Sequence, residues 1–96
     1  MNGDLERINM YVIKMQYRVY NNSDSLSFIE LTLSEDLKWY AATNDAASFH
    51  SPSAAVEYAK RCKVVENRGQ LGSDSMPYIV GPKGGKYSIF TGRIYK

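Results

Sequence analysis

One cysteine, one histidine and one tryptophan in 96 residues leave little room for several kinds of chemistry. Cys62 alone cannot close an intramolecular disulfide, and a chain without cross-links suits a reducing compartment. His50 alone cannot build a multi-histidine metal site, and one His with one Cys is too little for zinc. No run of about 18 apolar residues occurs, which excludes a membrane-spanning helix. Met1 to Met10 carries Asp4, Glu6 and Arg7 where a signal peptide would be apolar. A cytoplasmic protein with no membrane partner is therefore expected. No proline- or glycine-rich linker divides the chain, and its size provides for one small core, so residues 1–96 are expected to form a single domain. With 44% hydrophobic and 23% charged residues, the composition argues against disorder.

Charge and tyrosine are what the chain does have. From Lys60 to Lys96, eight basic residues face two acids, Glu66 and Asp74; from Met1 to Ala59, four face eight. The two segments carry +6 and −4, which together make the net +2. An asymmetry of this kind speaks about partners rather than fold. Eight tyrosines, each with an apolar ring and a polar tip, suit strand faces and binding surfaces alike.

Strict alternation sets in at Tyr11: Tyr11, Ile13, Met15, Tyr17 and Val19 fall on one face, Lys14, Gln16 and Arg18 on the other. Turn formers from Asn21 to Ser25 precede a second strand over 26–33, and Ser34-Glu35-Asp36 separates it from a third over 37–43. Three successive strands with short turns make an antiparallel meander. Ser51 and Pro52 suit the cap and first position of a helix over 52–62, whose Ala55, Val56, Ala59 and Cys62 share a side. Val64-Val65 reads as a brief strand and Arg68 to Ser75 as a polar loop. Residues 77–80 and 86–95 read as two further strands around Gly81-Pro82-Lys83-Gly84-Gly85. The expected fold is α+β, a mainly antiparallel sheet of four to six strands with one helix on one face. Its core should draw on Tyr11, Ile13, Met15, Tyr17, Ile29, Leu31, Val56, Ala59 and Ile89.

Catalytic constellations are missing. The carboxylates show no spacing that builds an acid/base pair or a metal site. Cys62 falls on the apolar side of the helix, where cysteine acts as a small hydrophobe, so a Cys62–His50 nucleophilic pair is disfavoured. Gly81 to Lys86 comes near a phosphate loop but lacks its spacing, and Tyr87 stands where the magnesium-binding hydroxyl belongs. The chain is expected to act without catalysis and without a cofactor.

Two stretches carry resemblances. Tyr11-Val12-Ile13-Lys14, Trp39-Tyr40, Thr43 to Phe49, Ser51 and Ala54 to Ala59 resemble a pattern of small phage proteins. In that pattern a strand leads to a displayed tryptophan and then to a helix. Gly81 to Tyr87 followed by Gly92 to Lys96 resembles short basic adaptor segments of viral and phage proteins, with Lys83 in place of the commoner arginine. The resemblances imply a phage accessory protein of anti-CRISPR type. Such a protein would bind a host defence protein or ribonucleoprotein complex, as monomer or homodimer. The alternative is a small basic nucleic-acid-binding protein, in which Tyr78, Tyr87, Phe90 and Tyr95 stack on bases and the interleaved Lys83, Lys86, Arg93 and Lys96 track phosphates. The expected contact residues are Lys83, Lys86, Tyr87, Arg93 and Lys96, joined by Lys60, Arg61 and Lys63. Lysines 60 and 63 and Arg61 serve equally well as cations complementing the helix dipole. A second candidate surface is acidic: Glu30, Glu35 and Asp36 beside Trp39.

Overall fold

The computed structural model describes residues 10–20, 26–67 and 76–95. The predicted turn at Asn21–Ser25, the loop Arg68–Ser75 and Lys96 lie outside them. Among the described residues, one antiparallel sheet of six strands carries one helix: β1 (Tyr11–Tyr20), β2 (Leu26–Leu33), β3 (Trp39–Tyr40), β4 (Ser48–Phe49), α1 (Pro52–Arg61), β5 (Tyr78–Val80) and β6 (Lys86–Ser88). The α+β class read from the sequence is the class observed. Strand order is β3-β2-β1-β5-β6, and β4 pairs with the first residues of β1. Val12 pairs with Ser48 on one edge and Val80 on the other, so β4 continues the edge that β2 occupies further along β1.

The period of two in β1 fixes which face is covered. Ile13 stands opposite Ile79, Met15 opposite Leu31, and Ile79 opposite Tyr87. These residues share the helix-bearing face, while Lys14, Glu30, Tyr78 and Lys86 belong to the helix-free one. The core joins Ile13, Leu33, Ala55, Val56, Ala59, Val64, Ile79 and Ile89. Seven predicted core residues are buried or packed on that cluster or the sheet beneath it; Tyr17 is half-buried and Ile29 is not core. Ile29 is 41% exposed, opposite Tyr17 in the distal half of the β1–β2 hairpin. The reason is length. A ten-residue helix spans about 15 Å, and a ten-residue strand about 33 Å, so α1 cannot roof the whole hairpin.

Helix α1 begins as the sequence predicts: Ser51 Oγ accepts from the Ala54 amide at 3.1 Å, with Pro52 in the first turn. It ends one residue earlier than expected, with Cys62 as the cap. Val64-Val65 is not a strand but part of that ending. The Val64 amide donates to the Ala59 carbonyl at 2.9 Å and the Lys63 amide to Lys60 at 3.3 Å, which is the Schellman arrangement. The buried Val64 then seals the helix end against the core.

That motif requires a left-handed residue, usually glycine, and here Lys63 fills the place with φ 54°. Leu37, in the β2–β3 turn, has φ 65° and a half-exposed side chain. Side chains with a Cβ are strained in this region. Lys63→Gly and Leu37→Gly should therefore each raise stability by about 0.5–1 kcal/mol, read as a higher urea midpoint at unchanged slope.

Two other predicted strands are shorter than expected. The third covers Trp39–Tyr40 alone, because residues 34–38 close a turn in which the Ser34 amide donates to the Lys38 carbonyl at 2.9 Å. The last stops at Ser88; a turn follows, with the Gly92 amide donating to the Ser88 carbonyl at 2.8 Å and Gly92 at φ 75°. Strand β4, two residues long, was not predicted at all.

Candidate partner-binding edge

The segment from Gly81 to Tyr95 forms the outer edge of the sheet. After the turn, the chain doubles back along β6: the Ser88 amide donates to Arg93 and the Tyr95 amide to Lys86, both at 2.8 Å, with Tyr87 bridged to Ile94. Lys86 thus lies opposite Tyr95, and Ser88 opposite Arg93. This edge exposes Phe90, Ile94 and Tyr95 to more than half their surface, beside the exposed Lys83, Lys86 and Arg93. The basic residues, Phe90 and Tyr95 were legible in the sequence. Ile94 was not, because it falls in what reads as an ordinary alternating strand.

The glycines of the β5–β6 connection have distinct uses. Gly81 and Gly85 close the turn, the Gly81 amide donating to the Gly85 carbonyl at 2.8 Å, and Gly84 adopts φ 85°. A Cβ on Gly81 would meet the Tyr11 ring at 3.0 Å and the Tyr87 ring at 3.1 Å. The two rings stand edge to face at 5.5 Å between centroids. Burial, and then the Tyr11 hydroxyl, push the Tyr87 phenol up from its ordinary value. Tyr11, Pro82, Lys83, Gly85, Tyr87 and Ile94 line an open cleft of about 440 Å³.

Lys83 and Tyr87 therefore meet at one cleft, while Lys86 turns to the helix-free face. Its ammonium lies 5.0 Å over the Tyr78 ring. Tyr78 in turn donates its hydroxyl to Glu30 at 2.6 Å, and Lys14 reaches the other carboxylate oxygen at 3.1 Å. The Tyr78 hydroxyl, followed by Lys14, holds the Glu30 carboxyl below the usual carboxylate range; burial, then Glu30, push the Tyr78 phenol up.

The helix-end cations divide. A Cβ on Gly92 would touch Pro52 and Val56, so the C-terminal turn abuts the first half of α1. Lys60 lies one turn beyond Val56 on that side. Arg61 instead lies 5.9 Å over the Tyr58 ring, which packs on Phe49. Lys63 is exposed, beyond the helix end.

The residues of the acidic alternative are largely engaged within the fold. Glu30 is held in the Tyr78–Lys14 network, and Asp36 accepts from Tyr40 at 2.8 Å and from the Lys38 amide at 3.0 Å, fastening the β2–β3 turn. The Tyr40 hydroxyl, ahead of the Lys38 amide, holds the Asp36 carboxyl low. Glu35 is exposed, but Trp39 is half-buried against the core rather than displayed. Register explains this, since Trp39 pairs with the buried Leu33.

His50 and Cys62 sit at opposite ends of α1, about 15 Å apart along its axis, and do not form a pair. Cys62 is half-buried against the core. Among the described residues, no three His, Cys, Asp or Glu side chains converge to hold a metal ion, and no helix is long and apolar enough to cross a membrane. Compared with known proteins, the chain matches no family model, no curated sequence and no solved structure.

Proposed function

We propose that this chain acts by binding, and that its β6 edge docks on an acidic surface of a protein or ribonucleoprotein partner. The observation that carries the reading is the clustering of Phe90, Ile94 and Tyr95 with Lys83, Lys86 and Arg93 along one edge. Aromatic and arginine side chains dominate interface energies, and exposed apolar groups among cations favour a protein over a bare phosphate backbone. The resemblance of the Tyr11–Ala59 and Gly81–Lys96 segments to phage proteins makes a host defence complex the partner of first choice, inhibited by occlusion.

A nucleic-acid reading has its own support in Lys14, Lys86 and Tyr78 on the helix-free face. It is weakened by Glu30 at the centre of that group.

Capture from a nuclease-treated bacterial lysate on the immobilised chain, with mass spectrometric identification, is the test. One protein or ribonucleoprotein complex should be retained, while single- and double-stranded oligonucleotides show no shift at moderate salt. Micromolar oligonucleotide binding that falls steeply with salt, with no retained complex, would reverse the order of the two readings.

A further inference from the structure

We propose that the cleft between the Gly81–Gly85 turn and the Tyr11–Tyr87 pair receives a single carboxylate side chain, Glu or Asp, of a partner protein. The proposal rests on the docking edge described above and names the chemistry at its centre. Among the described residues lining the cleft, Lys83 is the one charge, and no acid is among them. An anion entering there meets the attraction of the Lys83 ammonium.

The two phenols add a donor. Tyr11 and Tyr87 both line the cleft, their rings edge to face at 5.5 Å, and each phenol carries one hydroxyl hydrogen. A carboxylate taking one phenol hydrogen and one from the Lys83 ammonium gains two charge-assisted bonds. Pro82 and Ile94 supply apolar walls for the methylenes that carry the carboxylate.

The site is also held in shape before anything binds. The turn is closed by its own hydrogen bonds, and Gly81 leaves room for both rings against the backbone. Preorganisation of this kind lowers the cost of binding. A phosphodiester chain is the poorer fit, because it is held by a track of several cations and this cleft offers one.

The test is a nuclear magnetic resonance titration of the full chain with three probes: N-acetyl-Phe-Glu-Phe-amide, its Gln counterpart, and an eight-nucleotide thymidine oligomer. The Glu peptide should shift the amides of Gly81, Gly84, Gly85, Tyr87 and Ile94 saturably, with a dissociation constant on the order of 1 mM. The Gln peptide should bind about tenfold more weakly, as should the Glu peptide to Lys83→Gln, whose unchanged amide dispersion verifies its fold. Equal binding of both peptides, no shift at these amides, or saturation by the thymidine oligomer at lower concentration overturns the carboxylate assignment. The broader reading is tested separately. If Lys83, Lys86 and Arg93 replaced together by Glu lose the lysate partner while the Glu peptide leaves the cleft unmoved, the docking edge stands and the carboxylate site falls.

Discussion

Ile13→Ala should cost about 3 kcal/mol of folding free energy, while Ile29→Ala should cost less than about 1 kcal/mol. The two residues look alike in sequence, each on the apolar phase of an alternating strand. Ile13 has no exposed surface and joins both layers of the core, opposite Ile79 in the sheet and clustered with Val56 and Ala59 of the helix. Removing three carbons there leaves a cavity that a strand paired on both sides cannot collapse to fill. Ile29 already gives 41% of its surface to water and lies beyond the reach of α1. A chain of this length has a total stability of roughly 5–14 kcal/mol, so the first change removes a large share of it. Urea denaturation of both variants decides the matter, and equal losses would mean that the hairpin's distal half is covered after all.

The contrast marks how far sequence reasoning reached. Alternation in Tyr11–Val19 identified the face, because period two is a property of the strand itself. It could not identify how much of that face a partner element covers, which depends on the relative lengths of helix and hairpin. Ser51 and Pro52 announced the helix start because capping is local chemistry, whereas the Schellman ending was hidden: Lys63 occupies a position at which glycine is the readable signal. Strand β4 was illegible for another reason, since two residues carry no period. At the candidate site, the cations and Tyr87 were found from composition and glycine spacing. Tyr11, Ile94 and the cleft were not, because Tyr11 arrives from 70 residues earlier in the chain and only the β1–β5–β6 order places it beside Gly81. A glycine two residues from a lysine hinted at a turn. It did not hint that a distant ring needed the space.

Replacing Lys83, Lys86 and Arg93 together by Glu should weaken partner binding by on the order of tenfold or more and leave the fold intact. All three side chains are exposed, and surface substitutions rarely cost more than about 0.5 kcal/mol each. The largest single fold effect is expected at Lys86, whose ammonium lies over Tyr78 and helps hold the Glu30 carboxyl low; a carboxylate there would repel Glu30. Binding suffers more than folding because three cations become three anions on one edge, which turns attraction toward an acidic surface into repulsion. A parallel triple change to Gln separates the two contributions. Lost attraction alone should produce the smaller effect, seen mainly as slower association and a flatter dependence on salt, since exposed charges steer encounter more than they hold the complex. Immobilised wild type and both variants, exposed to the captured partner across a salt series, supply the comparison. If the Glu variant binds as wild type does, the β6 edge is not the contact. The exposed turn at Glu35, Asp36 and Leu37 then becomes the surface to mutate, since it presents acidic and apolar side chains together at the opposite end of the sheet.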